Sequence, residues 1–160
     1  MRILVAAVGR LKPGPDRDLA ERYRDRAIRT GRALGLRGPD IIELRESRAR
    51  EAERRMTEEA IALTGALPDG AFKVVLDSRG QNTTSDSFAQ CIRGWRDGGS
   101  QNVGFIIGGA DGLAASLVDN AAMVFAFGSA TWPHQLVRIM LMEQIYRATT
   151  ILSGHPYHRD

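Results

Sequence analysis

Apolar runs of strand length alternate with segments of helical periodicity along the whole 160-residue chain. Two of the later runs end directly in loops of small residues, and no low-complexity tract or long linker interrupts the pattern. These three observations predict one domain, residues 1–160, with a three-layer α/β fold on a mainly parallel sheet.

The elements follow in order. Arg2 to Val8 is a buried strand; its apolar run is too brief for a signal peptide and no cleavage site follows it. Gly9 through Pro15 is a loop, and Asp16 to Leu34 a helix with acidic residues in its first turn. Pro39 breaks the chain before a short strand, Asp40 to Leu44. Ser47 is a candidate N-cap for a charged helix from about Arg48 to Leu63. Ala71 to Asp77 is a third strand, with a loop at residues 78–82. Thr83 to Ser85 caps a helix reaching about Arg96. Asn102 to Ile107 and Ala122 to Phe127 are the fourth and fifth strands. Pro133 sits where an N1 proline belongs, ahead of a helix over Leu136 to Leu152 that Gly154 and Pro156 stop.

Composition narrows the function classes. Apolar content of 43% and charged content of 26% are ordinary for a globular domain, and no stretch approaches a membrane span. A single cysteine, Cys91, excludes an internal disulfide framework and fits a reducing cytoplasm. Residues 1–60 carry 15 basic and 11 acidic side chains against seven and eight in residues 61–160. Only Lys12 and Lys73 are lysines. Arginine stacks on bases and forks onto phosphate, which suits RNA, although the arginines of residues 43–59 alternate with glutamates as on a solvated helix.

Three segments are candidates for chemistry. Gly108-Gly109-Ala110-Asp111-Gly112 follows a strand, where open α/β sheets bind ligands, but lacks the spacing of dinucleotide and P-loop motifs. Phe127-Gly128-Ser129-Ala130-Thr131-Trp132-Pro133-His134 is a second such loop, with small residues that expose backbone and a tryptophan wall. The final helix is so apolar that Arg138, Glu143 and Arg147 need partners, which a subunit interface or an anionic substrate supplies. After it, His155-Pro156-Tyr157-His158-Arg159-Asp160 is dense in donors, aromatic surface and proton-transfer groups. His134, His155 and His158 lack the signature of a zinc site, so no metal is expected.

Together these pieces resemble the RlmH family of small SPOUT-class RNA methyltransferases. The resemblance rests on Leu76-Asp77 with Gly80, Ile106 through Gly112, Thr131 through His134, Leu136 through Ala148, and the His155 to Arg159 ending. It spans essentially the whole chain. It implies a trefoil knot in the C-terminal half, a homodimer, a cytoplasmic location, and S-adenosylmethionine bound by Leu76, Gly108, Phe127, Gly128, Ser129, Ala130, Thr131 and Trp132. It implies methylation at N3 of a pseudouridine in helix 69 of 23S rRNA, on assembled ribosomes.

Such a reaction needs the methyl positioned and the pseudouridine N3 proton removed. The candidate catalytic residues are His134, Glu143, Tyr157, His158 and Arg159, with His158 or Glu143 as proton acceptor and Arg159 steadying uracil oxygens or phosphate. Arg138 and Arg147 are assigned to RNA or to the interface. Two other classes compete. A non-catalytic RNA-binding or ribosome-associated domain predicts no cofactor affinity. A nucleotide-dependent oxidoreductase expects an acidic residue closing the strand after the glycine loop, where this chain has Phe125-Ala126-Phe127-Gly128.

Overall fold

The computed structural model describes residues 1–157. The strands are β1 (Arg2–Val8), β2 (Arg37–Leu44), β3 (Phe72–Asn82), β4 (Asn102–Ile107) and β5 (Met123–Ala126). The helices are α1 (Pro15–Gly31), α2 (Ala52–Gly65), α3 (Ser85–Asp97), α4 (Ala115–Asp119) and α5 (His134–Ser153), with a short 3-10 turn at Arg32–Leu34. The strands form one sheet in the order β2-β1-β4-β3-β5, every neighbouring pair parallel.

Alternation along the strands builds the three layers. Ile3, Val5 and Ala7 of β1 join Val74 and Leu76 of β3 and Phe105 of β4 on the face covered by α1, α3 and α5. Leu4, Ala6, Val8, Val75 and Ile106 point the other way, against α2 and α4. The central strands are therefore buried on both sides, which is why they read as continuous apolar runs rather than alternating ones. α5 packs against both α1 and α3. Among the described residues no helix is long and apolar enough to cross a membrane.

Several boundaries differ from the sequence expectation, each for a local reason. β2 begins at Arg37 and runs through Pro39, because an irregular register between Arg2 and Leu4 of β1 accommodates the proline on an edge strand. α2 begins at Ala52 with Glu51 as its cap residue; Ser47 is engaged elsewhere, its N–H donating to Glu59 and its hydroxyl to Glu58. Thr84 caps α3, accepting from the Ser87 N–H. Pro133 occupies the cap position and His134 opens α5, one residue earlier in the helix than an N1 proline implies. Gly154, in left-handed conformation, ends α5 as expected.

The largest difference is β3, which extends through the segment expected to be a loop. After a register shift beyond Leu76, Gln81 and Asn82 pair again with Phe125 and Ala126 of β5. Gly80 makes this crossing possible, since a Cβ there would lie 2.8 Å from backbone atoms of Val124 and Phe125. Backbone cannot yield as a side-chain tip can. Gly80→Ala is expected to cost about 1–3 kcal/mol, within the range for overpacking, read as a lower midpoint of chemical denaturation.

Candidate active site

The carboxyl ends of β4 and β5, and β3 where its register shifts beyond Leu76, open into one cleft of about 550 Å³. Leu76 and Asp77 come from β3, Gly108 through Ala110 from the loop after β4, and Phe127 through His134 from the loop after β5. Parallel strands must deliver their carboxyl ends to the same edge of the sheet, so the two loops after β4 and β5 converge there with the register break of β3.

Each loop is held in shape. The glycine turn closes on itself through the Gly112 N–H to the Gly109 carbonyl at 3.1 Å. A side chain at Gly108 would strike the Gly112 carbonyl oxygen at 2.8 Å, so only glycine permits so tight a turn. Arg55 of α2 forks onto Asp111 at 2.6 and 2.9 Å and fixes the turn to the opposite layer. In the β5 loop, the Trp132 indole N–H donates to the Phe127 carbonyl at 3.1 Å, and the Gly128 N–H donates to the Asn82 side-chain oxygen at 2.9 Å. Trp132 is 43% exposed, so its ring is a wall of the cleft and not core.

Of the residues expected to bind the cofactor, Leu76, Gly108, Phe127, Gly128, Ala130, Thr131 and Trp132 line this cleft, and Ser129 does not. His134 also faces it, and its imidazole makes no hydrogen bond or ion pair with another described residue. Asp77, which helps carry the family resemblance but was not among the expected site residues, lines the cleft too. It takes two guanidinium hydrogen bonds from Arg79 at 2.9 Å, which hold its carboxyl below the usual carboxylate range. Its position as the last residue of an apolar strand run was the available signal.

Glu143 and Tyr157 do not line this cleft. Glu143 is nine residues beyond His134 on α5, roughly 13 Å along the helix axis at 1.5 Å per residue. Its Oε1 accepts from Arg147 at 2.9 Å and its Oε2 from Gln144 at 2.7 Å. Tyr157 folds back onto this group. Its ring lies 4.7 Å from that of Tyr146 and 5.2 Å beneath the Arg147 guanidinium, with its hydroxyl 3.4 Å from Glu143. Burial, then the Glu143 charge, pushes the phenol up to about 12, so Tyr157 is a donor and not a base near neutrality. His158 and Arg159 lie outside the described residues.

Arg138 has no exposure at all and is spent inside the chain. It pairs with Glu43 at 2.6 Å and donates to the Val8 and Gly9 carbonyls at 3.3 and 3.0 Å. An assignment to RNA or to an intersubunit contact does not fit a guanidinium enclosed by β1 and β2. Arg147 is partly exposed and paired with Glu143. Among the described residues no group of three or more His, Cys, Asp or Glu is arranged to hold a metal ion.

The sequence profile described as "Predicted SPOUT methyltransferase" matches residues 1–158. A protein of Rhodopseudomonas palustris (strain BisB18) named "Ribosomal RNA large subunit methyltransferase H" is 57% identical over 159 residues, covering 99% of both chains. A protein of the same name from Bradyrhizobium sp. (strain ORS 278) is 58% identical, covering 99% of this chain and 98% of its own. Among solved structures, a "Probable Methyltransferase from Bordetella pertussis Tohama I" superposes with a TM-score of 0.51 over 92% of this chain and 95% of its own. At 12% identity, that likeness speaks to the fold alone.

Proposed function

The chain belongs to the SPOUT methyltransferase family, and from that premise we propose that it transfers a methyl group from S-adenosylmethionine to ribosomal RNA of the large subunit. The observation that carries this reading is the convergence of two strand-end loops and the register break of β3 on one cleft that also receives His134. A cleft of about 550 Å³ with apolar walls and exposed loop backbone suits an adenosyl group.

In the proposed site, Leu76, Phe127 and Trp132 flank the adenine and ribose, and the turns at Gly108 and Gly128 bring backbone close to the ligand. S-adenosylmethionine supplies, when bound, a methyl group already activated on a sulfonium. The protein's tasks are then alignment and proton management. The specific substrate proposed is N3 of a pseudouridine in helix 69 of 23S rRNA within the ribosome, whose imide proton must leave before N3 is nucleophilic. In this reading His134, which lines the cleft and has no hydrogen bond or ion pair with another described residue, accepts that proton or hydrogen-bonds the uracil oxygens. His158 and Arg159 complete the substrate side from the tail, with Arg159 meeting developing charge on the uracil.

The proposal includes a trefoil-knotted C-terminal half and a cytoplasmic homodimer. The strand order, with β5 outside β3 and α5 returning across α1 and α3, accommodates such a thread. Exposed Trp132 and Leu136, near each other at the start of α5, give apolar surface for a subunit contact.

The test combines calorimetry with S-adenosylmethionine and mass spectrometry of 23S rRNA fragments from a deletion strain, before and after treatment of its ribosomes with the purified protein. Cofactor binding and restoration of one methyl on a pseudouridine are expected. A chain that binds RNA but not S-adenosylmethionine would be a non-catalytic RNA-binding domain, and the reading would fail.

A further inference from the structure

A second depression lies at the carboxyl ends of β1 and β2, outside the methyl-transfer cleft. It is lined by Arg10, Arg45 and Arg48 together with Gly9, Glu46 and Ser47, and its volume is about 650 Å³. All three arginines are exposed, and none has an ion pair or hydrogen bond with another described residue. The side chains of Arg22, Arg29, Arg32, Arg37 and Arg50 also lack such a partner, so it is the gathering of three such arginines in one groove that marks this place. The one carboxylate in the groove, Glu46, leaves it net positive.

The groove and the cleft meet at Gly9. The point where a Cβ on Gly9 would sit is 3.2 Å from Glu46 Oε1 and 3.3 Å from His134 Nε2. His134 in turn lines the cleft. The segment carrying Arg45 and Arg48 is also fastened to the glycine turn. Glu59 accepts from the Ser47 N–H at 2.9 Å, while its other oxygen lies 3.0 Å from the Cβ position of Gly109. Arg55 donates to the Ala49 and Arg50 carbonyls and forks onto Asp111. The arginines thus stand on a braced loop in fixed relation to the cleft.

We propose that this groove is the phosphate-binding track of the substrate RNA, with Arg10, Arg45 and Arg48 gripping backbone phosphates next to the nucleotide held at His134. The proposal rests on the methyl-transfer reading for what occupies the cleft. Guanidinium groups fork onto phosphate oxygens, and unpaired ones do so without first surrendering a carboxylate. Glu46 repels phosphate from the mouth of the cleft, so the backbone lies on the arginine side while the base reaches past Gly9. These contacts position the RNA and carry no sequence information.

The test is the triple variant R10Q/R45Q/R48Q with its charge-retaining counterpart R10K/R45K/R48K. In the glutamine variant, affinity for labelled large-subunit rRNA and the KM for ribosomal substrate are expected to worsen at least tenfold, with S-adenosylmethionine affinity unchanged. The slope of log affinity against log salt is expected to shallow by about 2, from roughly 0.7–0.9 per phosphate contact. The lysine variant should keep the salt slope. Competition by inorganic phosphate alone, without a change in RNA binding, would make the groove a small-anion site and overturn the proposal. Wild-type affinity and slope in the glutamine variant would overturn it as well. If the wild-type protein binds rRNA in this groove but transfers no methyl, the methyl-transfer reading fails while the groove stands.

Discussion

Removal of residues 155–160 is expected to abolish methyl transfer to ribosomal RNA while leaving S-adenosylmethionine binding largely intact. The residues lining the cleft fall between Leu76 and Val137, so its walls survive the deletion. What the described part of the tail contributes is Tyr157, partly buried at the edge of the core, its ring tilted against Tyr146 and lying under Arg147. An aromatic pair of this kind is worth about 0.5–1.5 kcal/mol beyond its buried area, too little to unfold a 160-residue domain. The loss therefore falls on the substrate side, where His158 and Arg159 are assigned. Single-turnover transfer to ribosomes and calorimetry on the truncated chain separate the two functions. Full transfer activity would remove the tail from the reaction, and loss of cofactor affinity would recast it as a cover over the cofactor. Arg159→Ala should reproduce most of the defect.

Legibility in the sequence tracked the range of the interactions involved. β1 and β4 were readable because strands buried on both faces need unbroken apolar runs, and α5 was readable from its periodicity and Gly154. The extension of β3 was not, because Ser78 through Asn82 look like a loop until Gly80 is seen to pass over the β5 backbone. α4, at five residues, is too short to show a period. Ser47 resembled a cap by type, yet two glutamates from α2 claim it. Within the site, the loops after β4 and β5 announced themselves by their small residues. The arginine groove did not, since Arg10 and Arg45 are separated by a strand and a helix and meet only through the pairing of β1 with β2.

Arg138 is the sharpest case of a need visible in sequence whose answer lies in the fold. A cation on an apolar helix demanded a partner, and that partner is Glu43, 95 residues away on an edge strand. Burial pulls the guanidinium's pKa down and the Glu43 carboxylate opposes this, so the pair persists as an ion pair. Its Nε is buried and meets no hydrogen-bond partner among the described residues. Arg138→Met keeps the length and the apolar stem but removes every donor. The Val8 and Gly9 carbonyls then lose their bonds, while Glu43, whose side chain is 30% exposed, falls back on water. With Glu43 able to reach water, the cost is that of the unpaired buried carbonyls, about 2–3 kcal/mol, which for a chain of this size lowers Tm by roughly 8 °C. Glu43→Gln should cost more, about 3–5 kcal/mol, because it leaves the fully buried guanidinium without its counter-charge, with only two carbonyl acceptors. The double variant should then cost less than the sum of the singles, since it removes the buried charge that Glu43→Gln alone would strand. Activity should fall with stability, because Arg138 holds the end of β1 at Gly9, beside the His134 imidazole one helical turn away. A denaturation midpoint unchanged in Arg138→Met would show that this link between the sheet and α5 carries no stability.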